Sequence, residues 1–211
     1  MASTTVEYSF DALLPPPHSS DLHDLPAIVQ ARHHCRHLNN GAASGPHIVE
    51  IHDDKEIRSE TVEVTGDAFV KFTFPQHSIH RYLTLHVKNV EKFMQIEVCV
   101  VDEGKDGLVT HGGPRRRVFK ISNRRSQTVI ETALEDGEEY SICELPMYCG
   151  VGWQMMRLDL VDLCTNAFGT ERPNVESVTV RGSCFVSKIF THKDIVSDAE
   201  MPPHLRAVAM N

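Results

Sequence analysis

Aromatic residues are scarce in this chain: they make up 7% of 211 residues, and Trp153 is the single tryptophan. A sugar-binding sandwich relies on exposed aromatic platforms, so that class has little to be built from. No C-x-x-C pair and no tight framework links the six cysteines, Cys35, Cys99, Cys143, Cys149, Cys164 and Cys184. Their spacing predicts reduced, buried thiols in a reducing compartment. There is no charged-then-apolar leader, no apolar run near 18 residues and no Asn-x-Ser/Thr sequon, which predicts a soluble intracellular protein. Phosphate-cradling loops of the G-x-x-x-x-G-K-[ST] or G-x-G-x-x-G kind are missing too. The length suits one well-buried core and not two large ones.

What is present divides the chain at about residue 45. Residues 1–45 carry "LLPPPHSSDLHDLP", proline-rich and polar, and read as an extended arm rather than a packed element. "ARHHCRHLNNGAASGP" leads from there into a main domain over 46–211. In that domain short alternating segments follow one another. "YLTLHV" sets Leu83, Leu85 and Val87 against Tyr82, Thr84 and His86. "MQIEVCVV" aligns Met94, Ile96, Val98 and Val100, and "WQMMRLDL" aligns Gln154, Met156, Leu158 and Leu160. "VESVTVRG" and "CFVSKIF" follow, with turn signals between the segments at Gly66, Gly104, Gly107, Gly112-Gly113-Pro114, Asp136-Gly137 and Gly150. The expectation is an all-β antiparallel sandwich. One stretch breaks the alternation: Leu160, Leu163, Cys164, Ala167 and Phe168 recur at helical spacing, with Asp159 placed as an N-cap and Gly169 as a C-terminal cap. A second capping signature, Ser197-x-x-Glu200, opens a short turn that Pro202-Pro203 stops.

Candidate chemistry is thin. His33, His34, Cys35 and His37 offer soft ligands, and His33 and His37 would share a helix face. No H-E-x-x-H or second ligand pair accompanies them, so composition accounts for the cluster better than a metal does, and no cofactor is expected. "GAASG" holds its serine one place late for a nucleophile elbow and has neither the strand nor the helix that motif needs. The acids of "ETALEDGEEY" lack the alternate spacing of a calcium loop and read as a solvated loop. Trp153, inside an alternating segment, reads as a packing residue. No enzyme is expected.

The strongest signal is charge. Arg115, Arg116, Arg117, Lys120, Arg124 and Arg125 fall within eleven residues with no acid among them, in a chain of 21 cations and 29 acids. Without these six the remainder carries 15 cations against 29 acids, a net of −14. As a strand, "RRVFKIS" puts Phe119 and Ile121 on one face and Arg116, Val118 and Lys120 on the other. "SNRRS" then forms a turn with Arg124 and Arg125 at its tip, and Asn123 tolerates unusual backbone angles. One reading is a strand edge guarded against aggregation. The other is a docking patch, and the surrounding negative field favours an acidic protein partner over nucleic acid.

Eight segments in order resemble the cilia- and flagella-associated protein 20 family: "VKNVEKF", "IEVCVVD", "RRRVFKISNRRSQT", "ICELPM", "GWQMMRLDLVDL", "AFGT", "VESVTVRGSCFVSKIF" and "SDAEMPPHL", within residues 82–206. The resemblance implies a jelly-roll β-sandwich with a small helix and a non-enzymatic structural role in ciliary and flagellar doublet microtubules. It implies tubulin as a partner for the six cations, with the parkin co-regulated gene protein as a neighbour at the inner junction; the residues themselves lead to no expectation of a nucleic-acid or membrane partner. Three departures mark a divergent paralogue: the family's N-terminal stretch is not recognisable in residues 1–45, "GKDGLVTHGGP" lengthens the turn before the basic strand, and "ALEDGEEY" adds an acidic loop. The alternative from the residues alone is a carbohydrate- or ligand-binding sandwich, which Trp153 would have to serve.

Overall fold

A computed structural model describes residues 9–15, 29–31, 49–102, 115–135, 138–170 and 173–207. In chain order the strands are β1 (Phe10–Leu14), β2 (Val29–Ala31), β3 (Val49–Asp54), β4 (Ser59–Val64), β5 (Phe69–Ser78), β6 (Tyr82–Asp102), β7 (Arg115–Ser122), β8 (Val129–Glu135), β9 (Glu138–Pro146), β10 (Gly152–Asp159) and β11 (Pro173–His192). Helix α1 (Leu160–Phe168) lies between β10 and β11. The all-β sandwich expected from the alternation is the fold.

Two long strands run through both layers. The second half of β6 and the first half of β11 pair within one sheet, ordered β2-β5-β11-β6-β7-β9-β8. The first half of β6 and the second half of β11 pair within the other, where β4 and β1 flank β11 and β10 flanks β6. Each long strand turns between layers at a local break. Glu91 adopts φ 58° on β6 while its amide donates to the Asn89 side chain at 2.9 Å. Gly182 adopts φ 97° on β11, where a Cβ would meet the Phe93 carbonyl oxygen at 2.2 Å. The segments that read as separate short strands are thus halves of single elements. Alternation flags each half, but it does not reveal that a corner joins them.

The inward rows are those expected: Leu83, Leu85, Val87, Met94, Ile96, Val98 and Val100 are buried, together with Phe72, Val178, Val180, Val186 and Phe119. Helix α1 follows its capping signals. Asp159 accepts from the Asp162 amide at 3.1 Å, and Gly169, at φ 69°, donates to the Thr165 carbonyl at 3.0 Å. The Ser197 signature forms a 3₁₀ turn over Asp198–Glu200, with the Ser197 amide donating to the Glu200 carboxylate at 2.8 Å. One pairing departs from the antiparallel expectation. β7 and β9 are parallel, because the β8–β9 hairpin places β9 inside and β8 at the edge.

The arm also departs from its expectation. β1 pairs with the end of β11, and Leu13 and Leu14 are fully buried. β2 adds to β5. The apolar run Phe10–Leu14 precedes the prolines and retains the amides that a strand needs, so it packs where the proline-rich text suggested a free segment. The cluster at residues 33–37, the "GAASG" stretch and the insertion at 104–114 lie outside the described residues.

The outer face of the second sheet is covered as well. Residues 193–207 cross it and bury Val196, Met201 and Leu205 against Phe190, Phe10 and Ala12. Thr84 and His86, on the face opposite Leu83, Leu85 and Val87, are therefore buried too. No helix among the described residues is long and apolar enough to cross a membrane.

Candidate docking surface

β7 runs between β6 and β9, with Lys120 in register with Glu97 on one side and Glu144 on the other. Strand period splits the six cations. Phe119 and Ile121 point into the core, and Arg115 and Arg117 share their parity. Arg116 and Lys120 lie on the opposite, outer face with Val118. The six do not form one flat patch.

Acids from neighbouring strands already meet several of them. Arg116 contacts Glu176 through Nε at 3.2 Å and Nη2 at 3.3 Å. Glu176 also accepts from the Cys99 thiol, whose pKa is pushed up to about 12, chiefly by burial and then by that carboxylate. Arg125 is ion-paired with Glu144 on β9. Glu97 takes Arg181 at 3.3 Å and the Gln95 amide at 2.7 Å. The outer face of the first sheet is a lattice of alternating charges, and the net charge of a sequence window did not foretell it.

Arg117 plays a packing part. Its guanidinium lies 5.0 Å from the Phe168 ring centroid at the end of α1 and donates to Ser141 Oγ at 2.5 Å. Arg124 lies over Phe93 at 4.7 Å, and its amide donates to Ser122 Oγ. Asn123 has no positive φ. Its side chain clamps the turn to β6, with Nδ2 donating to the Lys92 carbonyl at 2.6 Å and Oδ1 accepting from the Met94 amide at 3.1 Å. The asparagine is there for its hydrogen bonds, not its backbone tolerance.

This turn borders a cleft of about 630 Å³ at the corner where the long strands bend, lined by Gly66, Asp67, Glu91, Lys92, Phe93, Asn123, Arg124 and Ser183. The Met147 amide donates to the Ser122 carbonyl at 2.9 Å, which holds the next residue, Tyr148, beside the basic turn. Tyr148 is 87% exposed and Val151 65%. This end of the sandwich therefore gathers Arg124, Arg125, Lys92 and exposed apolar side chains. Sequence reading found the cations and missed Tyr148, which has no periodic pattern to mark it.

Trp153 is half-buried and engaged within the fold. Its ring lies tilted against His86 at 4.7 Å, its Nε1 donates to Asp54 at 3.3 Å, and Lys88 sits 5.6 Å from its centroid. Asp54 is held below the usual carboxylate range: its burial opposes the shift, but hydrogen bonds from Lys88 and from the Glu56 and Ile57 amides outweigh it.

Relatives named cilia- and flagella-associated protein 20 match most of the chain. The one from Chlamydomonas reinhardtii is 27% identical over 172 residues, covering 77% of this chain and 80% of the relative. The one from Paramecium tetraurelia is 26% identical over 169 residues, covering 76% and 78%. Among solved structures, a family 12 xyloglucanase from Bacillus licheniformis covers 68% of this chain and 84% of its own, at 6% identity and TM-score 0.41. A likeness at that level carries no argument about activity. The CFA20 domain model matches residues 30–209, which include the whole of both long strands, the basic strand β7 and the covering C-terminal segment. The chain belongs to the CFA20 domain family.

Proposed function

We propose that this chain is a non-enzymatic structural component of the doublet microtubules of cilia and flagella. It binds the tubulin lattice and neighbouring doublet proteins, the parkin co-regulated gene protein among them. The observation that carries this reading is the match to the CFA20 domain over residues 30–209, and the relatives' names support a ciliary or flagellar role.

The placement of the six cations supports a narrower docking set. Arg124, Arg125 and Lys120, with Arg116, form the outward cationic set. Arg115 starts the strand on the other face, and Arg117 belongs to the packing of α1. Surface ion pairs are worth about 0–1 kcal/mol each, so these groups orient the protein on an acidic lattice rather than hold it. Repetition along a polymer supplies the remaining affinity. An acidic partner would compete with the acids already paired to Arg116 and Arg125, and salt would screen the contact.

The test is co-sedimentation with microtubules over a salt series. Replacing Arg116, Lys120, Arg124 and Arg125 by Gln, with Arg115 and Arg117 retained, is expected to lower the bound fraction and flatten its salt dependence. A folded variant that sediments as the parent does at every salt concentration would remove these residues from the docking surface.

A further inference from the structure

We propose that the β3–β4 ribbon carries a divalent-cation site of the zinc class, formed by Glu50, His52 and Glu63. Glu50 and His52 are two residues apart on β3 and so share a face, and Glu63 is the direct cross-strand partner of Glu50. His52 Nε2 lies 2.7 Å from one Glu63 oxygen and 3.4 Å from one Glu50 oxygen. One ligand atom from each of the three lies within 4.8 Å of the other two. Tetrahedral zinc with bonds near 2.0–2.1 Å separates its ligand atoms by about 3.3 Å, so small rotations of exposed side chains complete the triad.

Two further features argue for a cation. Glutamates placed directly opposite on paired strands repel each other. Among the described residues, neither Glu50 nor Glu63 has a lysine or arginine ion-pair partner; only His52 meets them. The nearest cation in that row, Lys88, lies beyond Phe185 and is committed to Asp54 at 3.1 Å and Glu56 at 3.0 Å. The site is also held in shape. The His52 ring stands edge-on to Phe185 at 6.2 Å, and Thr61 Oγ1 donates to the His52 carbonyl at 3.2 Å. At the hairpin turn Asp54 Oδ1 accepts from the Glu56 amide at 2.8 Å, which fixes the register that brings the glutamates together.

The donor set selects the metal. One imidazole and two carboxylates suit zinc, copper or nickel, whereas magnesium and calcium want oxygen ligands only. Three protein ligands leave the fourth position to water or to a side chain of a neighbouring protein. The site faces solvent, with His52 43% and Glu50 54% exposed, so an ion enters without unfolding.

The test is calorimetric titration of the full chain, cleared of metal with a chelator, with Zn²⁺ at neutral pH. Because His33, His34, Cys35 and His37 also offer soft ligands, a variant with all four replaced by Ala is titrated alongside. Binding that persists in that variant, and weakens at least about tenfold in His52→Ala and in Glu63→Gln, is the expected result. Nickel-induced broadening of backbone resonances confined to residues 50–52, 61–63 and 185 would locate it. Absence of saturable binding, or binding that survives His52→Ala and disappears with the four-residue variant, would overturn the site. In either of those cases His52 serves only as a side-chain partner bridging the two glutamates.

Discussion

His86 gives a quantitative handle on how the second sheet is sealed. It lies 4% exposed on β6, opposite Met155 of β10 and Lys188 of β11. Its Nδ1 is 2.7 Å from Ser187 Oγ, and Trp153 covers its ring. Burial, and then the Lys188 ammonium, bring its pKa from 6.5 to about 4. The folded state therefore holds it neutral, while the unfolded chain protonates it below about pH 6.5. A depressed pKa means stability present above the unfolded value and lost as pH falls towards the folded one. The shift corresponds to about 3 kcal/mol in full, most of which is lost by about pH 4.5. His192 and His204 are shifted downward too, each chiefly by burial, and steepen the same window. Asp54 and Asp159, held below their ordinary value, lose their contribution at lower pH. The assay is urea unfolding at intervals from about pH 7.5 to about pH 4.5, for the parent and for His86→Gln. The parent should lose stability more steeply on acidification, and the two curves should converge or cross. Parallel curves would refute the claim that His86 is buried neutral, and with it the covering role of residues 193–207.

Two further predictions concern corners and caps. Gly182→Ala places a Cβ 2.2 Å from the Phe93 carbonyl oxygen at φ 97°, and should cost at least about 2 kcal/mol, read as a lower thermal midpoint. An unchanged midpoint would show that the bend of β11 yields. Asp159→Ala removes the cap of α1 and the carboxylate that Arg81 Nη2 holds at 2.7 Å, and should cost about 1–2 kcal/mol, while Asp159→Asn keeps most of the cap. Equal losses in the two variants would place the effect in the ion pair instead.

The legible parts of the molecule were the local ones. Alternation in "MQIEVCVV" located a core row because every second residue of a strand points one way. Asp159 and Gly169 bounded α1 because capping depends on residues next to each other in the chain. The basic stretch was legible as composition, but its meaning was not. Glu176, Glu144 and Phe168 lie 19 to 60 positions from the cations they meet, and no window around β7 contains all three. The proline-rich signal dominated the first residues, so the buried pair Leu13-Leu14 went unread until its partner strand β11 was in place.

The sequence alone determined the strands with clean alternation, where the helix starts and stops, and that the positive charge is concentrated in one stretch, since each depends on neighbours a few residues apart. Family membership was carried by the same short segments. Only the tertiary structure decided that two pairs of strands are continuous around a corner, that residues 193–207 bury a face that reads as polar, and that the six cations divide between two faces. It also set Glu50, His52 and Glu63 side by side. These outcomes depend on strand order and register, which arise from contacts between residues distant in sequence, and local periodicity carries no record of them.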